Sequence, residues 1–199
     1  GFEKPLLLNL GLQRFNFFNP IGNPFVMFAL LKSTNNTMFI SEDIINKIFE
    51  LEVESDNDSS ESLLDLSREQ PAIFHYINQE DFELLTEEEF DFLIFLTIII
   101  FKSFRESGVT IKEVPVHDIE STEEANWEIL NSATSNKFRN RIDAFYIEYL
   151  QEDLLAFVED ALEPDDLPIV TKEGREPLFI ILKTIIDVLD KNTIQENSL

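Results

Sequence analysis

Thr86–Glu106 reads TEEEFDFLIFLTIIIFKSFRE, and the way this stretch must fold constrains everything around it. Thr86 followed three residues later by Glu89 has the form of a capping box, and Glu87 and Glu88 put carboxylates where a helix N-terminus is positive. From Phe92 to Phe101 only Thr97 is polar, so a helix here has no face to offer water and must be enclosed by other elements. Asp91 and Lys102 bound the run. Ten helical residues span about 15 Å, roughly half the hydrocarbon core of a bilayer, so the run is too short to cross a membrane. It reads as a central helix, closed at Ser107-Gly108, where glycine tolerates the left-handed conformation that ends helices.

Outward from that helix, the chain in both directions supplies amphipathic segments that could enclose it. Ser41 is a candidate N-cap with Glu42 and Asp43 in the first turn, and Ile44, Ile45, Ile48, Phe49 and Leu51 recur at helical spacing to about Val53. ESDNDSSE, residues 54–61, has nothing to bury and reads as a solvated loop. Leu63, Leu64 and Leu66 suggest a short turn of helix, and Pro71 opens another through Ile73, Phe74 and Ile77. Beyond Gly108, residues 109–116 lean toward extended structure but are interrupted by Pro115 and have no evident partner strand, so they read as a connector. A helix carrying Ala125, Trp127, Ile129 and Leu130 starts either at Pro115–Ile119 or at Ser121–Glu124 and ends near Ser132–Asn136.

Phe138, Ile142, Phe145, Tyr146, Tyr149, Leu150, Leu154 and Phe157 or Val158 recur by threes and fours, which predicts one amphipathic helix over 138–162. Pro164 and Pro168 end it. Pro177 suits the first turn of a last helix through Leu178, Ile181, Leu182, Ile185, Ile186 and Leu189, with Lys183, Asp187 and Lys191 at i, i+4 steps on a solvated side. The first forty residues, with Gly11, Pro20, Gly22 and Pro24 among several Phe, read as short pieces packed on the core.

Composition narrows the function classes. The chain has 199 residues, 44% of them hydrophobic, and 39 acidic against 15 basic residues leave a formal net charge of −24. A phosphate-backbone footprint needs clustered Lys and Arg, so direct nucleic-acid binding is disfavoured, as is an anionic membrane surface. The 19 Phe against one Trp and three Tyr suit a core more than a wet recognition surface. With no cysteine, disulfides, thiolate nucleophiles and Cys-type zinc sites are excluded. The triplets Asn35-Asn36-Thr37 and Asn57-Asp58-Ser59 match the glycosylation sequon but are common by chance. Opening on Gly1 instead of Met fits a trimmed or tagged start, and the cytoplasm is the default compartment.

No residue pattern specifies catalysis. An EF-hand register from Asp56 fails, because Glu61 stands at the glycine position and Ser67 at the bidentate glutamate position. His75 and His117 lack a second ligand at i+3 or i+4; His75 reads as partly buried and His117 as a surface residue. Asp91, Asp143, Glu148 and Asp153 are the carboxylates that could line an inward metal site, though each is expected on a polar face. The five glycines form no phosphate cradle, and no GxSxG elbow exists. Lys137, Arg139 and Arg141 put positive charge at a helix N-terminus, where either internal carboxylates, Asp143 among them, or a small anion would offset it.

The expectation is therefore an all-α protein: a single helical domain over 1–199, an irregular bundle of about six helices around the central apolar helix 86–106. Its expected function is non-enzymatic macromolecular interaction, as an inhibitor, immunity-type protein or adaptor binding a protein partner of basic character, with no cofactor and no assigned site residue. The alternative is a helical metal-dependent hydrolase or small-ligand protein with a carboxylate-rich site.

Overall fold

The computed structural model describes residues 38–54, 60–78, 85–163 and 169–194, all within one unit that spans residues 37–199. The pieces expected before residue 38, both glycosylation triplets and most of the acidic stretch at 54–61 lie outside the described residues. Eight α-helices are found among those described: α1 (Glu42–Glu54), α2 (Ser60–Glu69), α3 (Pro71–Ile77), α4 (Glu87–Glu106), α5 (Val116–Ser132), α6 (Phe138–Ile142), α7 (Glu152–Leu162) and α8 (Arg175–Lys191). None is long and apolar enough to cross a membrane.

The capping box forms as expected. Glu89 N donates to Thr86 Oγ1 at 3.2 Å, and Thr86 N donates to Glu89 Oε2 at 2.8 Å. Helix α4 then runs to Glu106 and stops where Gly108 takes φ 78°. Leu93, Leu96, Ile98, Ile99, Ile100, Phe101 and Phe104 are all essentially sealed from solvent. Each such side chain contributes roughly 1.5–3 kcal/mol relative to exposure, which makes α4 the axis of the unit.

A second axis runs beside it. Helix α8 buries Leu178 through Ile186 without interruption, then Val188 and Leu189, so it is enclosed almost as completely as α4. The two axes pack on each other; α1 and α2 cover α4, α5 and α7 cover α8, α1 also meets α7, and α3 bridges α2 to α5. Lys47 pairs with Glu106 and Lys102 with Glu52 across the α1–α4 joint, while Arg105 of α4 reaches Asp65 and Glu69 of α2 at 3.3 Å each.

Three expectations about secondary structure need correction. Residues 109–116 do find a partner: β1 (Thr110–Ile111) pairs antiparallel with β2 (Thr193–Ile194), and Lys112 N donates to Asn192 O at 2.9 Å. The helical turn expected at Leu63–Leu66 is a ten-residue helix that already begins at Ser60, inside the stretch read as a loop.

The third correction is the largest. Residues 138–162 do not form one helix, although no Gly or Pro interrupts them. After α6 the chain tightens into a 3₁₀ turn over Asp143–Tyr146, reverses through Glu148 at φ 54°, and restarts as α7 at Glu152. A non-glycine residue in the left-handed region is disfavoured by about 1–2 kcal/mol, so tertiary contacts must hold it there. Those contacts are polar: the turn delivers Tyr149 and Gln151 to charged groups on α8.

An acidic helix face over a buried charge network

Lys183, one turn before Asp187 on α8, is only 5% exposed, so it does not lie on the solvated side that its spacing suggested. Its ammonium donates to both Asp187 carboxylate oxygens, at 2.6 Å each. The Tyr149 ring covers it, with the Nζ 4.1 Å from the ring centroid, and the Phe145 centroid lies 5.5 Å away. Burial pushes the Lys183 amine below its usual range, partly offset by Asp187. Asp187 also accepts from the Tyr149 hydroxyl at 2.8 Å and from Asn126 Nδ2 at 3.1 Å, while Asn126 Nδ2 reaches Thr184 Oγ1 at 3.2 Å. Burial, with the Asp187 charge as a smaller cause, drives the Tyr149 hydroxyl far above an ordinary phenol.

One turn further, Asp190 accepts from Gln151 Nε2 at 2.6 Å. Burial pushes its carboxyl up against the lowering effect of that hydrogen bond, and Asp187 adds to the rise. Lys183 is thus held by two oxygens and roofed by an aromatic ring. Its ammonium is engaged by Asp187 on one side and by two aromatic rings on the other.

The network is closed on one side by α5, whose two faces differ sharply. Inward, Asp118 takes Lys191 Nζ at 2.8 Å, Asn126 joins Asp187, and Ile119 and Leu130 are buried. Lys191 and, against burial, Asn192 hold the Asp118 carboxyl below the usual range. Glu123 meets the Tyr76 hydroxyl of α3, whose pKa burial raises strongly. Outward, Glu120, Glu124 and Glu128 are exposed at successive i, i+4 positions, and Val116–Ser132 contains no Lys or Arg. The apolar face predicted for this helix is displaced, because Ala125 and Ile129 are exposed whereas Ile119, Asn126 and Leu130 face in.

The carboxylates proposed for a metal site do not converge. Asp91, Asp143 and Glu148 are exposed on three different elements, and Asp153 accepts from Glu42 N at 2.9 Å at the start of α1. Among the described residues no group of three or more His, Asp or Glu is arranged to hold a metal ion. His75 is exposed instead of partly buried; His117 is at the surface as expected, 3.4 Å from Asp118. Of the basic trio, Arg139 pairs with Glu159 at 3.0 Å and not with Asp143, and Arg141 pairs with Glu176 and donates to Leu130 O at 3.2 Å.

Sequence reading missed the most interconnected polar residues: Gln151, Asn126 and Asp190 belong to no motif. One more carboxylate is buried. Glu89 Oε1 accepts from both Thr171 N and Thr171 Oγ1 at 2.7 Å, which ties the start of α4 to the loop before α8. Burial opposes its ionisation, yet the hydrogen bonds from Thr86 and Thr171 prevail and its pKa is lowered. No protein-family model, curated protein or solved structure matches this chain.

Proposed function

We propose that this protein acts by binding a basic macromolecular partner, with the outer face of α5 as its docking surface. The observation that carries this reading is the row Glu120, Glu124 and Glu128 on a helix without a Lys or Arg of its own. Like charges at i, i+4 disfavour a helix by roughly 0.2–0.5 kcal/mol per pair, so the row carries a repulsion that an opposite charge would relieve. A partner bearing Lys or Arg at the same spacing relieves that repulsion and gains steering from the net charge of −24. The cations of the chain support the same reading. Lys47, Lys102, Arg105, Arg141 and Lys183 are engaged with carboxylates at joints between helices or inside α8, so the acidic surplus is what the surface displays.

Trp127, the one tryptophan, sits half-buried on α5 between Glu124 and Glu128 and reports on this face. A short lysine-rich helical peptide titrated at low ionic strength should change Trp127 emission, with affinity falling as salt is added. Glu124→Gln with Glu128→Gln should weaken that binding at least several-fold more than Glu87→Gln with Glu88→Gln at the start of α4. Equal weakening by both pairs would mean that net charge alone attracts the peptide and that α5 is not the docking face.

A further inference from the structure

Two glutamines of the unit are almost completely buried, Gln151 at 0% and Gln70 at 1% exposure, and they do the same thing. Gln151 Oε1 accepts from Ile40 N at 3.1 Å while its Nε2 donates to Met38 O at 2.7 Å. Gln70 Oε1 accepts from Val114 N at 2.9 Å while its Nε2 donates to Lys112 O at 3.1 Å. In each case one carboxamide engages the C=O of a residue and the N–H two positions on, groups that point to the same edge of an extended chain. Each side chain therefore stands in for a neighbouring strand.

The two clasped segments differ in what else holds them. Lys112 follows β1 directly and its own N–H is bonded to Asn192 O, so the Lys112–Val114 segment has backbone anchors independent of Gln70. Among the described residues, Met38–Ser41 has no strand partner. It is fixed by Gln151, by the fully buried Ile40 side chain, and by the Glu42 N to Asp153 Oδ2 bond that follows it. Gln151 in turn is oriented by Asp190, which takes its second N–H and so directs Nε2 toward Met38 and Oε1 toward Ile40.

We infer that the Gln151 carboxamide is a latch: Met38–Glu42 is a strap that opens locally at this clasp while α4 and α8 remain folded. Segments held by few hydrogen bonds open at lower free energy than the core they rest on, and among the described residues one side chain supplies two of the three polar anchors that tie this strap to other elements than α1. The lost clasp leaves two backbone groups to water and frees the segment that enters α1.

Native-state hydrogen exchange at rising sub-denaturing urea tests this on the wild-type chain. The Ile40 and Glu42 amides should exchange by an opening with little urea dependence, faster than Val114 and much faster than the α8 amides at Leu182 and Ile185. Gln151→Ala should speed Ile40 exchange roughly tenfold or more with Val114 unchanged, α8 rising by no more than the same factor because global unfolding also loses the clasp, and Gln70→Ala should act on Val114 and leave Ile40 unchanged. The inference is overturned if Ile40 in the wild type exchanges only with the steep urea slope of α8. It is equally overturned if Gln151→Ala leaves Ile40 exchange unchanged or speeds Val114 by the same factor as Ile40. The wild-type slopes decide the matter even where a variant does not fold.

Discussion

Asp187→Ala should destabilise the protein by about 4 kcal/mol and Lys183→Met by about 1 kcal/mol, although both delete the same ion pair. The asymmetry follows from what each leaves behind. Without Asp187, an ammonium that is 5% exposed loses both of its 2.6 Å acceptors, and the Tyr149 hydroxyl loses its partner as well. An uncompensated buried charge costs about 3–5 kcal/mol. Without Lys183, the Asp187 carboxylate keeps Tyr149 at 2.8 Å and Asn126 at 3.1 Å. Met retains the aliphatic stem against Phe145 and Tyr149, and the fold no longer has to dehydrate an amine.

The double variant sharpens the argument. In the Lys183→Met background, Asp187→Ala removes only two hydrogen bonds at about 1 kcal/mol each, so the double should cost about 3 kcal/mol where the singles sum to about 5. The coupling is then about 2 kcal/mol. Urea unfolding followed by Trp127 emission near neutral pH measures all four proteins. Lys183→Met costing as much as Asp187→Ala, or an additive double, would refute the claim that Asp187 is the hub and Lys183 its dependent.

Gly174 packs so tightly on the Glu89 carboxylate that an added Cβ would lie 2.6 Å from Glu89 Cδ, and Thr86 and Thr171 prevent that carboxylate from moving away. Gly174→Ala should therefore cost about 1–3 kcal/mol, read as a lowered Tm, and an unchanged Tm would show that the loop yields. Because the folded pKa of Glu89 is lowered, its stabilisation is complete above the ordinary glutamate value and is lost as pH falls through the lower folded value. Glu89→Gln should accordingly flatten the acid limb of stability against pH. Asp160 and Asp190, whose pKa values burial raises, act with the opposite sign and are common to both proteins. Thr97→Val should stabilise the fold by about 1 kcal/mol in urea unfolding, since the Thr97 hydroxyl is fully buried in α4 without a hydrogen-bond partner among the described residues; a destabilised variant would mean that the hydroxyl does find one.

The elements that local chemistry determines were readable in advance. Thr86 and Glu89 define a helix start by their own hydrogen bonds, Gly108 ends it by its φ, and Pro71 opens α3, because each acts within a turn of itself. The break at residues 147–151 was not readable, because nothing local causes it. Tyr146, Tyr149 and Leu150 keep helical spacing, and the partners that the reversal at Glu148 reaches lie on distant elements: Asp187 and Asp190 on α8 and the Met38–Ile40 backbone. The pairing of β1 with β2 failed for a related reason, since two-residue strands show no alternation and the partner lies some eighty residues away.

The burial of Lys183 is a different case, because the signal was present. Leu178–Leu189 reads LFIILKTIIDVL, in which Lys183 and Asp187 are the only charges. The inference drawn from Phe92–Phe101, that a helix with no polar face must be enclosed, holds equally here, and it carries a corollary. If the helix is enclosed, a charge pair within it is enclosed too, and must find further hydrogen-bond partners from whatever packs on it. An i, i+4 Lys and Asp on a surface need nothing more than water. The same pair in an apolar run predicts polar residues on the neighbouring elements, and Asn126 in the middle of α5 and Tyr149 after a lost helix are the residues that answer that demand.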